Sequence, residues 1–189
     1  MAESLWTSTL AEFRDQLASK DPVPAGVSLA AVSASLGLSL LTKVLDITGN
    51  RRDFKGDPAK IDEWVAAART ASCTLQRCAD EDVVAFASYM ASRRTPNEAA
   101  ALRKAIETPL AAARAAALGL KLGAEAAVVT PASIAPDLRT VTLLLAAAVH
   151  AILLSVESNA LYLTDPELRD EIAREVEILQ LLAKKHQQW

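Results

Sequence analysis

One carboxylate stands where the residue pattern asks for an apolar side chain. Leu75, Cys78, Ala79, Phe86 and Met90 recur at helical spacing, and Asp82 falls on the same stripe at steps of three and four. Asp80 and Glu81 point more to the side. An inward carboxylate loses hydration, which raises its pKa and suits it to moving protons near neutral pH, unless a nearby cation holds it ionised. Asp82 therefore reads in two ways, as a proton carrier or as a structural Asp paired to an Arg or a backbone group.

The remaining candidates carry similar pairs of readings. Asp137, preceded by Pro136 at the head of a helix, is explained by capping or by contact with a ligand. Asn159, late in an apolar helix, hydrogen-bonds either a ligand amide or a neighbouring backbone. Arg51 and Arg52 form a basic loop that suits a carboxylate-bearing ligand, or are simply solvated. His150 reads as a satisfied core histidine, and His186, near the C-terminus, is given no role. Cys73 and Cys78, close together in one helix with no His beside them, read as reduced thiols rather than as a disulfide framework or a zinc site. The sequence has no P-loop, GxGxxG, HExxH, paired CxxC or GxSxG, so neither a metal nor a bound cofactor is expected.

The elements that must position these groups are helices. The 189 residues include 38 Ala but only eight aromatics and six Gly, a composition of closely packed helices rather than of an all-β fold. A net charge of −3 lacks the basic excess that binding a phosphate backbone requires, so no nucleic-acid partner is expected. The N-terminus, MAESLWTSTLAEF, has no charged-then-apolar signal pattern, which points to the cytoplasm. With no repeat or low-complexity linker, residues 1–189 read as a single domain.

Six helices are predicted. The first spans Thr7 to Ser19 with Leu10, Phe13 and Leu17 on one stripe, and stops at a Pro-rich loop from Asp21 to Gly26. The second, Ser28 to Thr48, has Val32, Leu36, Leu40, Val44 and Ile47 as its stripe. A polar loop, Gly49 to Gly56, precedes a long third helix that starts at the Asp57-Pro58 cap and runs to Arg93. The fourth runs from Thr95 to Leu122, is kinked or divided at Pro109, and ends at Gly123. The fifth, Asp137 to Leu163, is apolar on all sides, which predicts central burial. Its longest apolar stretch, Val141 to Val156, is shorter than the roughly 20 residues needed to span a bilayer, so no membrane partner is expected. The last follows Thr164-Asp165-Pro166-Glu167 with an inner face of Leu168, Ile172, Val176, Leu179 and Leu182. The expected fold is all-α, an antiparallel multi-helix bundle with one long helix and a buried Ala/Leu-rich central helix. Its long apolar faces predict a homodimer.

Several ordered motifs resemble the cyclodeaminase/cyclohydrolase family of folate enzymes, which includes the C-terminal domain of formiminotransferase-cyclodeaminase and stand-alone methenyltetrahydrofolate cyclohydrolases. Pro22-Val23-Pro24-Ala25-Gly26-Val27-Ser28 and the following LAAVSASLG are similar to the family's Pro-x-Pro-Gly-Gly-Gly-Ser loop and small-residue helix. Gly49-Asn50-Arg51-Arg52-Asp53-Phe54 resembles its Gly-basic-basic-x-aromatic element with one residue added. The stretch from Ala79 to Phe86 resembles its acidic segment before Ala-Phe, Pro109-Leu110 its Pro-Leu, Pro136-Asp137 its Ser-Asp, and Asn159 its late Asn. The similarity runs from Leu5 to the last helix.

The resemblance implies one-carbon chemistry on tetrahydrofolate, which is the substrate rather than a cofactor. Either N10 attacks an N5-formimino carbon and ammonia leaves, or water opens the methenyl bridge. Asp82 would be the catalytic proton carrier and Asp137 a pterin contact or a second proton partner. Arg51 and Arg52 would meet the folate's acidic tail, while Asn159, Gly26 and Ser28 would be further substrate contacts. Ala25 and Val27 replace two family glycines, and Pro136 replaces a Ser. Side chains there would narrow a pocket that uses bare backbone, which leaves an alternative: a catalytically lost member acting as a ligand-binding or self-assembling module.

Overall fold

The structure is a computed structural model that describes residues 4–187. A short 3-10 turn, Leu5–Thr7, precedes α1 (Leu10–Leu17), α2 (Gly26–Gly49), α3 (Pro58–Ser92), α4 (Glu98–Ala126), α5 (Ala135–Ala160) and α6 (Pro166–Gln187). No strand occurs among the described residues, so the all-α expectation holds. Side chains cap the starts of α1, α3 and α6. Thr9 and Glu12 form a reciprocal capping box at α1. At α3, Asp57 caps the Ala59 N–H and Pro58 occupies the first turn.

Four long helices make the core, each antiparallel to its neighbours. Ser28 meets Ala79 and Ser35 meets Ser72 across α2 and α3; Lys104 meets Glu81 and Glu125 meets Trp64 across α4 and α3. Asn159 meets Ala105 across α5 and α4, while Gly37 on α2 lies against Leu144 and Leu145 of α5. The closest approach is at Gly119 of α4, where a Cβ would sit 2.5 Å from Leu38 and 2.8 Å from Leu145. The last helix, α6, is clamped to α4 by a two-pronged Arg114–Glu175 pair and to α5 by Gln180–Glu157. Its inner face holds Ile172, Val176 and Leu179 buried, with Leu168 and Leu182 half-buried against the core, as the pattern predicted.

Several expectations are corrected. The first α-helix starts at Leu10 rather than Thr7, and Leu10 is exposed, leaving Phe13 as its one buried residue. In α2, Val44 of the predicted stripe is buried and Val32 and Leu40 are half-buried, but Leu36 and Ile47 face outward, and the buried stripe is completed by Ala31, Ala34, Leu38, Leu41, Leu45 and Thr48. Both stripes satisfy the helical period; the buried one combines Ala31 and Ala34, which admit neighbouring helices closely, with Leu38, Leu41 and Leu45, which fill the space between them. In α3, Ala85 and Tyr89 are buried instead of Phe86 and Met90. Gly123 does not end α4, and Pro109 neither ends nor divides it. Nor is α5 buried on every side: Leu143, Leu144 and Leu154 are exposed. By length and composition α2 and α5 are both apolar enough to cross a membrane, with mean hydropathies of 1.6 and 1.9, yet 61% and 50% of those stretches lie buried in the bundle.

Candidate functional site

Asp82 lies inside. It is only 8% exposed, in α3 among the buried Cys78, Ala79 and Ala85. Among the described residues it has no hydrogen bond and no ion pair, so the structural alternative, an Asp held by an Arg or a backbone donor, finds no partner. Burial alone pushes its carboxyl up to about 6, because nothing nearby repays the lost hydration of the anion. A group with that pKa exists in both protonation states near neutral pH, which is what a proton carrier needs.

The start of α2 stands at the same level. Ser28, one turn into the helix, donates its buried hydroxyl to the Ala79 carbonyl at 3.2 Å, so the hydroxyl serves to register α2 on α3. The N-cap is Ala25, which offers no side-chain acceptor, and the first backbone N–H groups of α2 remain uncapped. Gly26 is exposed, and a Cβ there would meet nothing within 4 Å.

Beside this end lies a cavity of about 400 Å³ between the N-terminal segment, the Pro-rich loop and α3, lined by Leu5, Ser8, Gln16, Val23, Pro24 and Asp80 among others. Asp80 is fixed there: it accepts from the Ser4 hydroxyl at 2.6 Å and the Leu5 N–H at 2.9 Å, and the Trp6 indole donates to Gln76 on the same helix. Sequence reasoning placed Asp80 on the side of α3 but missed its clasp on residues 4–6, because nothing in a helical pattern announces where a separate segment will lie.

The other sequence candidates separate. Asn159 sits at the Asp82 end, where its amide donates to the Ala105 carbonyl at 3.0 Å, the backbone alternative. Arg51, Arg52 and Asp137 sit at the opposite end, because α2 runs its full 24 residues between Gly26 and the arginine loop, roughly 35 Å at the helical rise. Arg51 is engaged with Asp53 through two bonds of 2.8 Å, which raise its pKa further, and Arg52 is exposed. A cavity between the arginine loop and the α4–α5 connection joins Arg51 and Phe54 to Val128 and Pro131. Asp137 is not the N-cap of α5. That position is Ile134, and Asp137 lies in the first turn, where its charge favours the helix dipole.

A family model described as formiminotransferase-cyclodeaminase matches residues 9–178. The chain belongs to the formiminotransferase-cyclodeaminase family. It is 30% identical over 127 residues to formimidoyltransferase-cyclodeaminase of Sus scrofa, a match covering 61% of this chain and 24% of the pig protein, so the chain spans about a quarter of that relative. It is 26% identical over 181 residues to methenyltetrahydrofolate cyclohydrolase of Methylorubrum extorquens, across 89% of this chain and 87% of the other. The fold matches that of formiminotetrahydrofolate cyclodeaminase from Thermotoga maritima with a TM-score of 0.91 at 22% identity, covering 97% and 93% of the two chains.

Within this formiminotransferase-cyclodeaminase member, the altered glycine positions turn out to be structurally undemanding. Ala25 has extended backbone angles (φ −136°, ψ −151°), Val27 is buried in the core, and no glycine among the described residues has positive φ. Val27 is buried, so its side chain lies against neighbouring groups rather than in open solvent. Pro136 falls in the first turn of α5, where an N–H has no helical partner to lose.

Proposed function

We propose that this chain is a folate one-carbon enzyme that works on the bridge between N5 and N10 of tetrahydrofolate, as a methenyltetrahydrofolate cyclohydrolase or a formiminotetrahydrofolate cyclodeaminase. The observation that carries this is Asp82: a buried carboxyl, unpartnered among the described residues and with its pKa raised to about 6, beside the uncapped start of α2. As a carboxylate it takes a proton from the water that adds to the methenyl carbon, and the C–N bond that then breaks leaves a formyl group on one nitrogen. As a carboxylic acid it protonates the departing nitrogen when N10 displaces ammonia from a formimino carbon. Neither step calls for a metal or a resident cofactor, and the folate itself is the substrate. The alternative, a member that has lost its chemistry, is not favoured by the matches to the family model and to the methenyltetrahydrofolate cyclohydrolase of Methylorubrum extorquens, and the positions that depart from the family pattern carry no backbone strain.

The working unit in this proposal is a cytoplasmic homodimer without nucleic-acid or membrane partners. The outer faces of α2 and α5 support it: Leu29, Leu36, Leu143, Leu144 and Leu154 are all exposed on two adjacent antiparallel helices. A second copy laid across them, with its two-fold axis crossing the helices, would bring the partner's Arg51 and Arg52 to the Asp82 end, where they would meet the acidic folate tail. Substituting Leu36 and Leu144 by Glu should convert dimer to monomer in light scattering; an unchanged mass would remove this face from consideration.

Methenyl absorbance decides the function. Incubation with 5,10-methenyltetrahydrofolate should speed its decay, or incubation with 5-formiminotetrahydrofolate should generate it, and Asp82→Asn should do neither while keeping its helical circular dichroism. No change with either substrate would overturn the assignment.

A further inference from the structure

The threonines inside the long helices provide an internal comparison. Thr42, Thr48, Thr70, Thr74 and Thr140 each donate their hydroxyl to the carbonyl four residues back, and Thr142 to the one three back. This is the usual resting place of a helical threonine hydroxyl. Thr108 departs from it. Its residue is 3% exposed, and its Oγ1 is buried with no partner. A buried hydroxyl left so is uncommon and calls for an explanation.

Its place in the fold supplies one. Lys104 on α4 meets Glu81 on α3, so Thr108, one turn further along α4, lies within about a turn of Asp82 along the paired helices. Ala105, bound by Asn159, and Ala79, bound by Ser28, mark the same layer on the other contacts. Asp82, a buried residue with no hydrogen bond among the described residues, and Thr108, whose Oγ1 is buried without a partner, thus share one end of the four-helix core. A hydroxyl and a carboxyl are complementary: in either protonation state of the acid, one can donate and the other accept.

We propose that Thr108 is a positioning residue for Asp82, its hydroxyl forming, directly or through one ordered water, the hydrogen bond that orients the carboxyl during proton transfer. The other charged or titratable groups near that end are engaged or distant except Cys78, buried one turn back on α3 with its thiol pushed up by burial and by Glu81. Cys78 and Glu81 share α3 with Asp82, and Glu81 pairs with Lys104 of α4. Arg103 pairs with Asp165, and Asp80 is held by Ser4 and Leu5. Glu157 of α5 accepts from Gln180, His150 lies more than two turns back along α5 from Asn159, and α2 brings no titratable side chain between Gly26 and Leu38.

The test removes the hydroxyl and keeps the shape. Thr108→Val, with Thr108→Ala as a second variant without the added methyl and Thr108→Ser as the rescue, is compared with wild type by 13C NMR titration of the Asp82 carboxyl and by kcat. Loss of a donor to the carboxylate should raise the Asp82 midpoint by about one pH unit in the Val and Ala variants. The same variants should lose kcat about tenfold, and Ser should restore both. An unmoved midpoint with full kcat in the Val and Ala variants would overturn the proposal. The proposal rests on Asp82 acting as the proton carrier, and the two fail differently. Protein inert toward both folates, with a midpoint still moved by Thr108→Val, overturns the enzyme assignment and keeps the pair.

Discussion

The Asn159 amide donates across 3.0 Å to the carbonyl of Ala105, and Ala105 is the residue four positions before Pro109. In a helix that carbonyl would accept from the N–H of residue 109, which proline lacks. Asn159 therefore replaces the missing bond from a neighbouring helix, and this is one reason α4 continues unbroken through Pro109. The two residues should be energetically coupled. Asn159→Ala alone leaves a carbonyl without a partner and should cost about 1–3 kcal/mol in urea unfolding. Pro109→Ala restores an N–H at that position, and in its background the cost of Asn159→Ala should largely vanish. Simple additivity in the double-mutant cycle would show that the bond carries no such role.

The burial of Asp82 predicts a pH dependence of stability with a definite sign. Its pKa is raised from 3.8 to about 6 in the fold, so folding favours the protonated form. The associated stability is fully present below pH 4 and is lost as pH rises through about 6, a change of roughly 3 kcal/mol. Glu12 and Asp53, both exposed and lowered in pKa, act in the opposite direction, so the measurement is the difference between wild type and Asp82→Asn. That variant should be more stable than wild type at pH 7.5 and should lose the advantage near pH 4. An equal difference at both pH values would mean that the carboxyl is hydrated in solution.

The sequence made the helices legible, along with their number and the inward position of Asp82, because Pro, Gly and cap residues mark ends and the 3.6-residue period marks faces. It did not separate the two faces of α2. Val32, Leu36 and Leu40 fit that period as well as Ala34, Leu38 and Leu41, and only the close approach at Gly37 and Gly119 selects the second set. The same ambiguity made α5 look buried all round. The split of the candidate site was equally hidden: Arg51 and Asp82 sit at opposite ends because α2 runs its whole length between the arginine loop and the Asp82 end, a consequence of topology and not of local pattern. Asn159 was readable as a hydrogen-bonding residue, but its partner, a carbonyl freed by a proline 50 positions earlier, required the packing of α5 on α4.

Asp82 also predicts how each folate reaction responds to pH. If the chain hydrolyses the methenyl bridge as proposed, Asp82 acts as the carboxylate, and kcat should fall below a midpoint near 6 as the group protonates. If it deaminates as proposed, Asp82 acts as the acid that protonates the departing nitrogen, and kcat should fall above the same midpoint. The direction of the limb therefore identifies the reaction independently of which substrate is turned over faster. A flat profile between pH 5 and pH 8 in an active protein would remove Asp82 as the titrating group.

The two glycines at Gly26 and Gly119 should respond differently to alanine, although both lie in helices. At Gly119 the new Cβ meets Leu38 at 2.5 Å and Leu145 at 2.8 Å, and both leucines are fully buried. Alanine gains about 1 kcal/mol of helix propensity, but forcing two packed leucines off their rotamers costs about 1–3 kcal/mol. Gly119→Ala should therefore be neutral to destabilising despite the propensity gain, and paired with Leu38→Ala it should recover part of the loss through relief of the clash. At Gly26 the Cβ enters open space in a backbone conformation without positive φ, so Gly26→Ala should be neutral or slightly stabilising. Its effect on turnover is the more informative reading. If substrate approaches the bare start of α2, this one methyl should raise KM while unfolding stays unchanged. If KM stays constant as well, the substrate does not lie against Gly26, and the cavity bordered by Asp80 becomes the better place to look for it.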